Sequence, residues 1–475
     1  MYTPSKIKIS MLCALALCGQ VRRDDLAIFA RTADAGVRTI RELEDKGLIE
    51  DKTVEATVRM DGRNRPRMRH VCSLTNAGLL FLLTHGASLF PWLASVPKEI
   101  VGQVNLKGGS CTRRIPLDRR LDLSGANCFF IAAGYETRPL VFDENMKEGK
   151  PSLASCLAEI LPPLDASNDR SFYNALEIKR NILGNGMAAR FARYVGFVVH
   201  GGMPAAVYVV PQGGLSWGTS VVNKERALFD DFVLRGMHTA KDMGHDCILL
   251  VRKPRDLSRT LAMEPGKVVP RGMRYVVPMG REGMRDLEYI QNWGYHKLKA
   301  ACSESISEAG YAKNTEKGTI PGNAATRIST VCPLIDPVTG NYITIGPLIT
   351  IHVLKENAAL MRVGKPITVF CFPHQMAFYR AALGEEIDFL LAAAEGEGGS
   401  AWRVTPRKDG SRLSQTCFCC CRMSDASRLH ETADSKPLLL YEKTALLSDA
   451  MRGGAERTAC FVRAAWKTPG AFDKI

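Results

Sequence analysis

The most concentrated chemistry in the sequence is a run of five arginines within eleven residues: Arg59, Arg63, Arg65, Arg67 and Arg69. Like charges this close repel one another, which is unfavourable unless a polyanion lies beside them. Each contact between an arginine and a phosphate also releases a counterion, which favours binding. The run therefore predicts a phosphate-binding surface, and the alternative is a solvated charged segment.

A second candidate is the triplet Glu177-Ile178-Lys179, which lies in a segment, residues 171–180, whose polar and apolar residues alternate. Alternation predicts a β-strand, and residues two apart in a strand face the same side. The Glu177 carboxylate and the Lys179 ammonium are therefore predicted to stand side by side. The alternative is that they mark the exposed face of an edge strand.

Three short helices are predicted in front of the arginine run, over residues 5–20, 24–31 and 35–46. Apolar residues recur in them at helical spacing. Thr32 or Asp34 is placed to cap the third helix. The third helix is predicted to turn Val37, Ile40 and Leu43 inward. Its polar face carries Arg38, Thr39, Arg41 and Glu42.

Two strands joined in a hairpin are predicted next, over residues 53–59 and 69–74, with the arginine run forming the tip. Asp61-Gly62 supplies the residue types that tight turns favour. Thr75 is placed to cap a further helix. The hairpin would therefore present its arginines at the end farthest from the helices.

This order of helices and hairpin over residues 5–86 resembles the winged helix-turn-helix of DNA-binding regulators and initiators. The segment Leu74-Thr-Asn-Ala-Gly78 is similar to that of many bacterial winged-helix proteins. The resemblance implies that the third helix lies in the major groove of double-stranded DNA, where Arg38, Thr39 and Arg41 reach base edges or phosphates. It also implies that the hairpin arginines follow the adjacent minor groove or the phosphates.

The Glu177 and Lys179 pair, with a helix and a strand predicted after it, resembles the core of PD-(D/E)XK nucleases. Together with the winged helix, it resembles the replication-relaxation group and the plasmid-mobilisation relaxases built on such a core. In these enzymes two acidic residues hold a divalent cation and the Lys helps to activate water. The resemblance implies Mg²⁺ or Mn²⁺ bound by Glu177 and Asp143, with Asp165 or Asp169 as alternatives to Asp143.

The predicted function is that of a sequence-specific DNA-binding protein of a mobile element or plasmid. If the protein is an enzyme, the predicted reaction is metal-dependent nicking of DNA. Arg190 and Arg193, in a predicted helix at residues 187–194, would face the phosphate. The alternative is a transcriptional regulator or replication initiator without catalysis, whose later domains serve oligomerisation or partner binding. A homodimer fits either function.

A chain of 475 residues is too long for one ordinary core, so several domains are expected. The predicted fold class is α/β and multidomain, a winged helix-turn-helix followed by mixed α/β domains of which the first is restriction-endonuclease-like. The divisions are 1–90 for the winged helix, 91–125 for a basic linker, 126–260 for the nuclease-like domain, 261–395 for an α/β extension and 396–475 for a tail. Within them, strands are predicted at 127–133, 139–142, 195–199, 206–210, 247–251 and 275–278, and a loop at 303–327.

The net charge is +14, and residues 1–120 carry 20 Lys and Arg against 12 Asp and Glu. Such a field attracts nucleic acid or anionic membrane, and its concentration near the helices favours DNA. The apolar run Ile9–Leu17 is too short to span a bilayer and leads directly into the helical pattern. A cytoplasmic protein without a membrane partner is therefore expected.

Fifteen cysteines are present, most of them isolated, which predicts buried free thiols in a reducing compartment. The cluster Cys417-Phe-Cys-Cys-Cys421 is the exception. Three consecutive cysteines do not easily converge on one tetrahedral ion, so zinc binding is not expected there.

Overall fold

The structure of the protein is a computed structural model. It describes residues 4–60, 63–107, 115–142, 150–161, 164, 170–182, 193–200, 203–211, 227–233, 246–257, 274–395 and 401–404. The elements below all belong to one compact unit, Met1–Thr405. Among the described residues, no helix is both long and apolar enough to cross a membrane.

The N-terminal part consists of four helices and a three-stranded antiparallel sheet. In chain order the elements are α1 (Lys6–Cys18), β1 (Gln20–Arg22), α2 (Arg23–Ala27), α3 (Ala33–Asp45), β2 (Ile49–Met60), β3 (Arg63–Leu74) and α4 (Asn76–His85). The strand order is β1-β3-β2. The helices and the hairpin occur in the order predicted, and the Thr75 hydroxyl accepts a hydrogen bond from the Gly78 amide as the expected cap of α4.

Helix α1 is buried on every side from Met11 to Cys18, whereas the sequence predicted a single inward stripe. Two further helices, α5 (Leu117–Ala132) and α6 (Leu153–Ile160), pack against it together with α4. A helix that is apolar all round is a core helix. The apolar run Ile9–Leu17 thus lies in the core shared by the N-terminal helices and the chain that follows.

Among the described residues, the first large sheet has six strands in the order β4-β5-β6-β7-β8-β9. Strands β5, β6 and β7 form an antiparallel meander, and β7, β8 and β9 are parallel. The elements of this region, besides α5 and α6, are β4 (Glu136–Thr137), β5 (Arg170–Asn174), α7 (Ala175–Glu177), β6 (Gly196–His200), β7 (Met203–Val209), α8 (227–233), β8 (Cys247–Val251) and β9 (Arg274–Pro278). Strand β9 completes this sheet although it lies beyond the predicted division at residue 260.

The second large sheet also has six strands, in the order β10-β13-β14-β15-β16-β17. Its three central strands β14, β15 and β16 are parallel, because helices cross between them. The elements are α9 (Arg281–Glu308), β10 (Ala312–Lys313), β11 (Thr319–Ile320), β12 (Asn323–Arg327), α10 (Ile328–Val331), β13 (Leu334–Ile335), β14 (Tyr342–Ile345), α11 (Ile351–Arg362), β15 (Ile367–Cys371), α12 (Met376–Leu383), β16 (Asp388–Glu395) and β17 (Ala401–Val404). The protein is therefore a mixed α/β protein with more than one sheet.

Three of the predicted elements, two strands and one loop, are wrong. Residues 127–133 are not a strand: 127–132 form the end of α5 and 133 follows it, because a short apolar run fits a buried helix as well as a buried strand. Residues 139–142 form no strand, and 117–125 of the predicted linker are helical. The predicted loop at 303–327 contains the end of α9 and strands β10, β11 and β12, and β17 lies within the predicted tail.

Candidate nucleic-acid interface

Helix α3 is held by a cap and by a close crossing with α2. The Thr32 hydroxyl accepts a hydrogen bond from the Ala35 amide at 3.2 Å, so Thr32, and not Asp34, is the N-cap. A Cβ at Gly36 would come within 2.4 Å of the Ala27 carbonyl oxygen, so only glycine allows the two helices to approach this closely. Ile40 and Leu43 are fully buried behind them.

The outer face of α3 carries two exposed arginines, Arg38 and Arg41, as the helical spacing predicted. Thr39, the third predicted contact of this helix, is half-buried and its hydroxyl donates to the Ala35 carbonyl at 2.9 Å. The helix can therefore offer two guanidinium groups to a ligand, while its threonine satisfies its own donor within the helix.

The hairpin is longer than predicted, because β2 and β3 continue through the arginine run instead of ending before it. The pairing extends from Ile49 opposite Leu74 to Met60 opposite Arg63. Strand β1 pairs only with Val71–Ser73 along β3, and residues 68–70 line a pocket together with residues of α5 and of the chain after β8. The five residues 63–67 extend beyond this base by roughly 16 Å at about 3.3 Å per residue. The predicted eleven-residue tip is therefore wrong, since its arginines lie in strands.

The strand geometry places three of the hairpin arginines on one face. Arg65, Arg67 and Arg69 are two residues apart in β3, so their side chains share a side. Arg65 and Arg67 are exposed, whereas Arg69 is half-buried. Arg59 and Arg63 lie in β2 and β3, and their side chains are outside the described part of the structure.

Arg69 is held by the protein itself. Its guanidinium lies 3.4 Å from the carboxylate of Asp118 at the start of α5, which also receives Arg22 at 2.6 Å. The face of the hairpin that carries these arginines therefore has two zones. Its base is held by α5, and its outer part, with Arg65 and Arg67, is exposed.

The pairing at the base of the hairpin continues into the first large sheet as a chain of alternating charges. Arg22 also pairs with Asp122 at 3.2 Å, and Asp122 pairs with Arg252 at 2.9 Å. Arg252, which follows β8, forms a two-pronged contact with Asp25, at 3.0 Å from Nε and 2.9 Å from Nη2. The chain thus connects the hairpin and α2 to the sheet.

Burial alone would lower the pKa of Arg252, but the neighbouring carboxylates of Asp25 and Asp122 outweigh it and raise that pKa. A Cβ at Gly125 in α5 would come within 2.3 Å of the Asp25 carboxylate and 2.7 Å of Arg252. Glycine is therefore needed where α5 passes this ion pair. We did not anticipate the site from the sequence, although its signal was a charged residue directly after the buried strand β8.

The predicted strand through Glu177 and Lys179 is wrong, because β5 ends at Asn174. The Asn174 side-chain oxygen accepts hydrogen bonds from the amides of Leu176 and Glu177 and so caps a helical turn. The helix continues as a π-helical turn, Ile178–Ile182. Residues two apart in such a turn point to nearly opposite sides, so Glu177 and Lys179 do not share a face.

Glu177 lies beside a buried cation. Its carboxylate is 3.9 Å from Nε of Arg138, which is 5% exposed, and burial lowers the pKa of Arg138 despite this neighbour. The Arg138 carbonyl accepts hydrogen bonds from the side chains of Asn127 and Asn174. The surroundings of Glu177 are therefore those of a residue that compensates a buried arginine.

Most other residues of the predicted metal site lie outside the described part of the chain. Asp143, Asp165, Asp169 and Arg190 lie outside the described residues, and Arg193 is described and exposed. Within the described ranges, no group of three or more His, Cys, Asp or Glu is arranged to hold a metal ion. Nicking supported by Mg²⁺ or Mn²⁺ therefore stays a prediction.

The cysteines in the described part of the chain are free thiols, as predicted, and all but the half-buried Cys156 are buried. The Cys417–Cys421 cluster lies outside the described residues. Comparisons of the chain with protein-family models, with curated proteins and with solved structures found no match.

Proposed function

We propose that the N-terminal part is a winged helix-turn-helix that binds double-stranded DNA, with α3 as the recognition helix and the β2–β3 hairpin as the wing. The observation that carries this proposal is the pairing of two exposed basic surfaces within one small fold. Arg38 and Arg41 stand on α3, and Arg65 and Arg67 stand on the projecting part of the hairpin.

The charge of these surfaces favours a phosphate ligand. None of Arg38, Arg41 and Arg65 forms an ion pair with a carboxylate of the described residues, so their charge is available to a partner. Carboxylates compensate the arginines at the base of the hairpin, whereas the outer arginines face solvent. A surface of this kind gains free energy by displacing counterions from DNA.

The length and the position of the β2–β3 hairpin also fit the role of a wing. A helix in the major groove needs a second contact along the backbone to set its orientation, and a projecting hairpin supplies such a contact. The proposed roles are base reading by Arg38 and Arg41, and phosphate binding by Arg65 and Arg67. The restriction-endonuclease-like core and the homodimer remain predictions beside this proposal.

The test is the salt dependence of binding to a duplex, measured by fluorescence anisotropy with the full chain. Each phosphate contact contributes about one unit to the slope of log affinity against log salt. The Arg65→Ala/Arg67→Ala double variant is expected to lower that slope by about two units and to bind roughly tenfold more weakly or worse.

Two controls accompany the double variant. Arg65→Lys/Arg67→Lys keeps the charge and should keep the slope, and Lys297→Ala removes an exposed cation on α9, outside the proposed interface. An unchanged slope in the alanine double variant, with normal thermal unfolding, would contradict the role of the hairpin. Arg38→Ala/Arg41→Ala should instead reduce the preference of the protein among different duplex sequences.

A further inference from the structure

A groove of about 650 Å³ lies beside the N-terminal end of α3, apart from the proposed DNA-binding surfaces. One wall is the turn between α2 and α3, with Ala30, Arg31 and Thr32. The start of α9 and one side of α12 also line the groove. The volume is in the range of sites for small organic ligands.

The floor of the groove is the carboxyl edge of the first sheet. The parallel strands β8 and β9 end here, and the residues that follow them, Arg252 and Met279, line the space. Ligands of α/β proteins bind preferentially at the carboxyl ends of parallel strands. Apolar side chains cover much of the lining: Ile28, Pro278, Met279, Ala377, Phe378 and Ala381.

Two arginines, Arg31 and Arg281, line this groove. Arg281 donates a hydrogen bond from Nε to the Ala30 carbonyl at 2.9 Å, which fixes its position next to Arg31. Burial lowers the pKa of Arg281, and the nearby positive charges of Arg31 and Arg285 lower it further. Neither Arg31 nor Arg281 forms an ion pair with a carboxylate of the described residues.

Two carboxylates also line the groove, but neither forms an ion pair with Arg31 or Arg281 among the described residues. These carboxylates are Asp24 and Glu282, whereas Arg252 forms ion pairs with Asp25 and Asp122. Helices α3 and α9 both begin at the groove, and Gly280 provides no side-chain cap for the first amides of α9. Amides at the start of a helix carry a partial positive charge that favours an anion.

We propose that this groove binds a nucleotide, with the phosphate between Arg31 and Arg281 and the base against the apolar floor. A phosphate relieves the repulsion between the two guanidinium groups, and a flat heterocycle fills an apolar space that water fills poorly. The nucleotide is either free or one unit of a DNA strand. The site does not depend on the proposed DNA interface, because Arg38, Arg41 and the hairpin arginines do not line the groove.

The experiment uses position 381 of α12, where an exposed alanine faces the groove and tolerates larger residues. Ala381→Glu and Ala381→Gln have nearly the same size and helix propensity, so they differ in charge alone. Binding of 2′-deoxyadenosine 5′-monophosphate, of deoxyadenosine and of a single-stranded decanucleotide is measured by calorimetry with the full chain.

The expected result is binding of the monophosphate that is at least about tenfold weaker in Ala381→Glu than in Ala381→Gln, with little binding of deoxyadenosine. If only the decanucleotide shows this difference, the ligand is a unit of a strand. Arg31→Ala should weaken the same binding, and Arg41→Ala, in the following helix α3 but outside the groove, should not.

Equal affinity of the Glu and Gln variants for both phosphate-containing probes would overturn the proposal, as would equal binding of deoxyadenosine and its monophosphate. The Arg65→Ala/Arg67→Ala variant separates this site from the DNA interface, because it should bind the monophosphate normally. Failure of duplex binding with retained monophosphate binding would therefore contradict the proposed function alone.

Discussion

The arginines of the hairpin and the arginines at its base are the same residue type in the same small region, yet their surroundings are opposite. Arg65 and Arg67 are exposed to solvent on one face of β3. Arg22 and Arg252 alternate with carboxylates in a series of ion pairs, and their side chains are 11% and 19% exposed. Along β3, the exposed Arg67 is only two residues from Arg69, which pairs with Asp118.

The comparison shows why a count of arginines does not locate a binding surface. An arginine beside a buried carboxylate contributes to the fold, because removing it leaves the carboxylate without compensation. An arginine on a projecting strand contributes little to stability, and its charge remains for a ligand. Arg69 stands between the two groups, since it belongs to the arginine face and also contacts Asp118.

The largest expected effect is on folding, from Arg252→Ala. Asp25 is 2% exposed and would lose its two-pronged partner, and Asp122 would lose one of two. We expect the free energy of unfolding in urea to fall by about 3–5 kcal/mol. Lys253→Ala, one residue later and exposed, should change it by less than about 0.5 kcal/mol. A stable Arg252→Ala protein would show that the charge chain is not needed for the fold.

The half-buried carboxylate of Glu356, which lies outside both regions, tests how burial affects a charge that is only partly compensated. Burial raises the pKa of Glu356 in α11 to about 7, and Lys299 offsets this only in part. The folded protein therefore holds this proton more tightly than the unfolded chain, so the ionisation of Glu356 reduces stability as the pH rises from about 4.5 to about 7.

The Glu356→Gln variant should remove that loss. We expect it to be more stable than the wild type at pH 8, by an amount on the order of 1–2 kcal/mol for a partly exposed side chain, and equally stable near pH 4. Urea unfolding at the two pH values measures the difference. A stability gain of the same size at both pH values would point to packing rather than to ionisation.

The smallest expected effect is that of Arg69→Ala. This variant tests whether Arg69 acts with the exposed hairpin arginines or with the paired arginines at the base. Asp118 keeps Arg22 at 2.6 Å, so the loss of stability should be no more than about 1 kcal/mol. The salt slope of duplex binding should change by less than it does in Arg67→Ala, which is expected to lose about one unit. A full unit lost in Arg69→Ala would assign Arg69 to the DNA-binding surface, as the sequence predicted.

Local signals predicted the N-terminal elements well. Thr75 begins a helix at the expected position, because a side-chain cap acts within one turn of the chain. Gly19, with φ of 74°, ends α1 near the predicted end of that helix. The predicted strands of the hairpin are too short, because the arginine run lacks the alternation of polar and apolar residues that indicates a strand. The two paired strands nevertheless extend through these arginines.

Competing local signals explain the wrong predictions farther along. The alternation around Glu177 favoured a strand, but the Asn174 side chain satisfies two amides and starts a helical turn there. The apolar run at the end of α5 fitted two kinds of buried element. In both cases the residue pattern fitted a strand, but a side-chain cap or packing in the core stabilised a helix instead.

The sequence by itself determined the basic charge of the N-terminal part, the caps of its helices and the inward face of α3, since these depend on residues a few positions apart. The tertiary structure alone decided which arginines are available to a ligand. Arg252 meets Asp25 across 227 positions of the chain, and Arg69 meets Asp118 across 49. Such pairs form only when the sheet, α5 and the hairpin are brought together, because Coulomb attraction and shared burial act through space and not along the sequence.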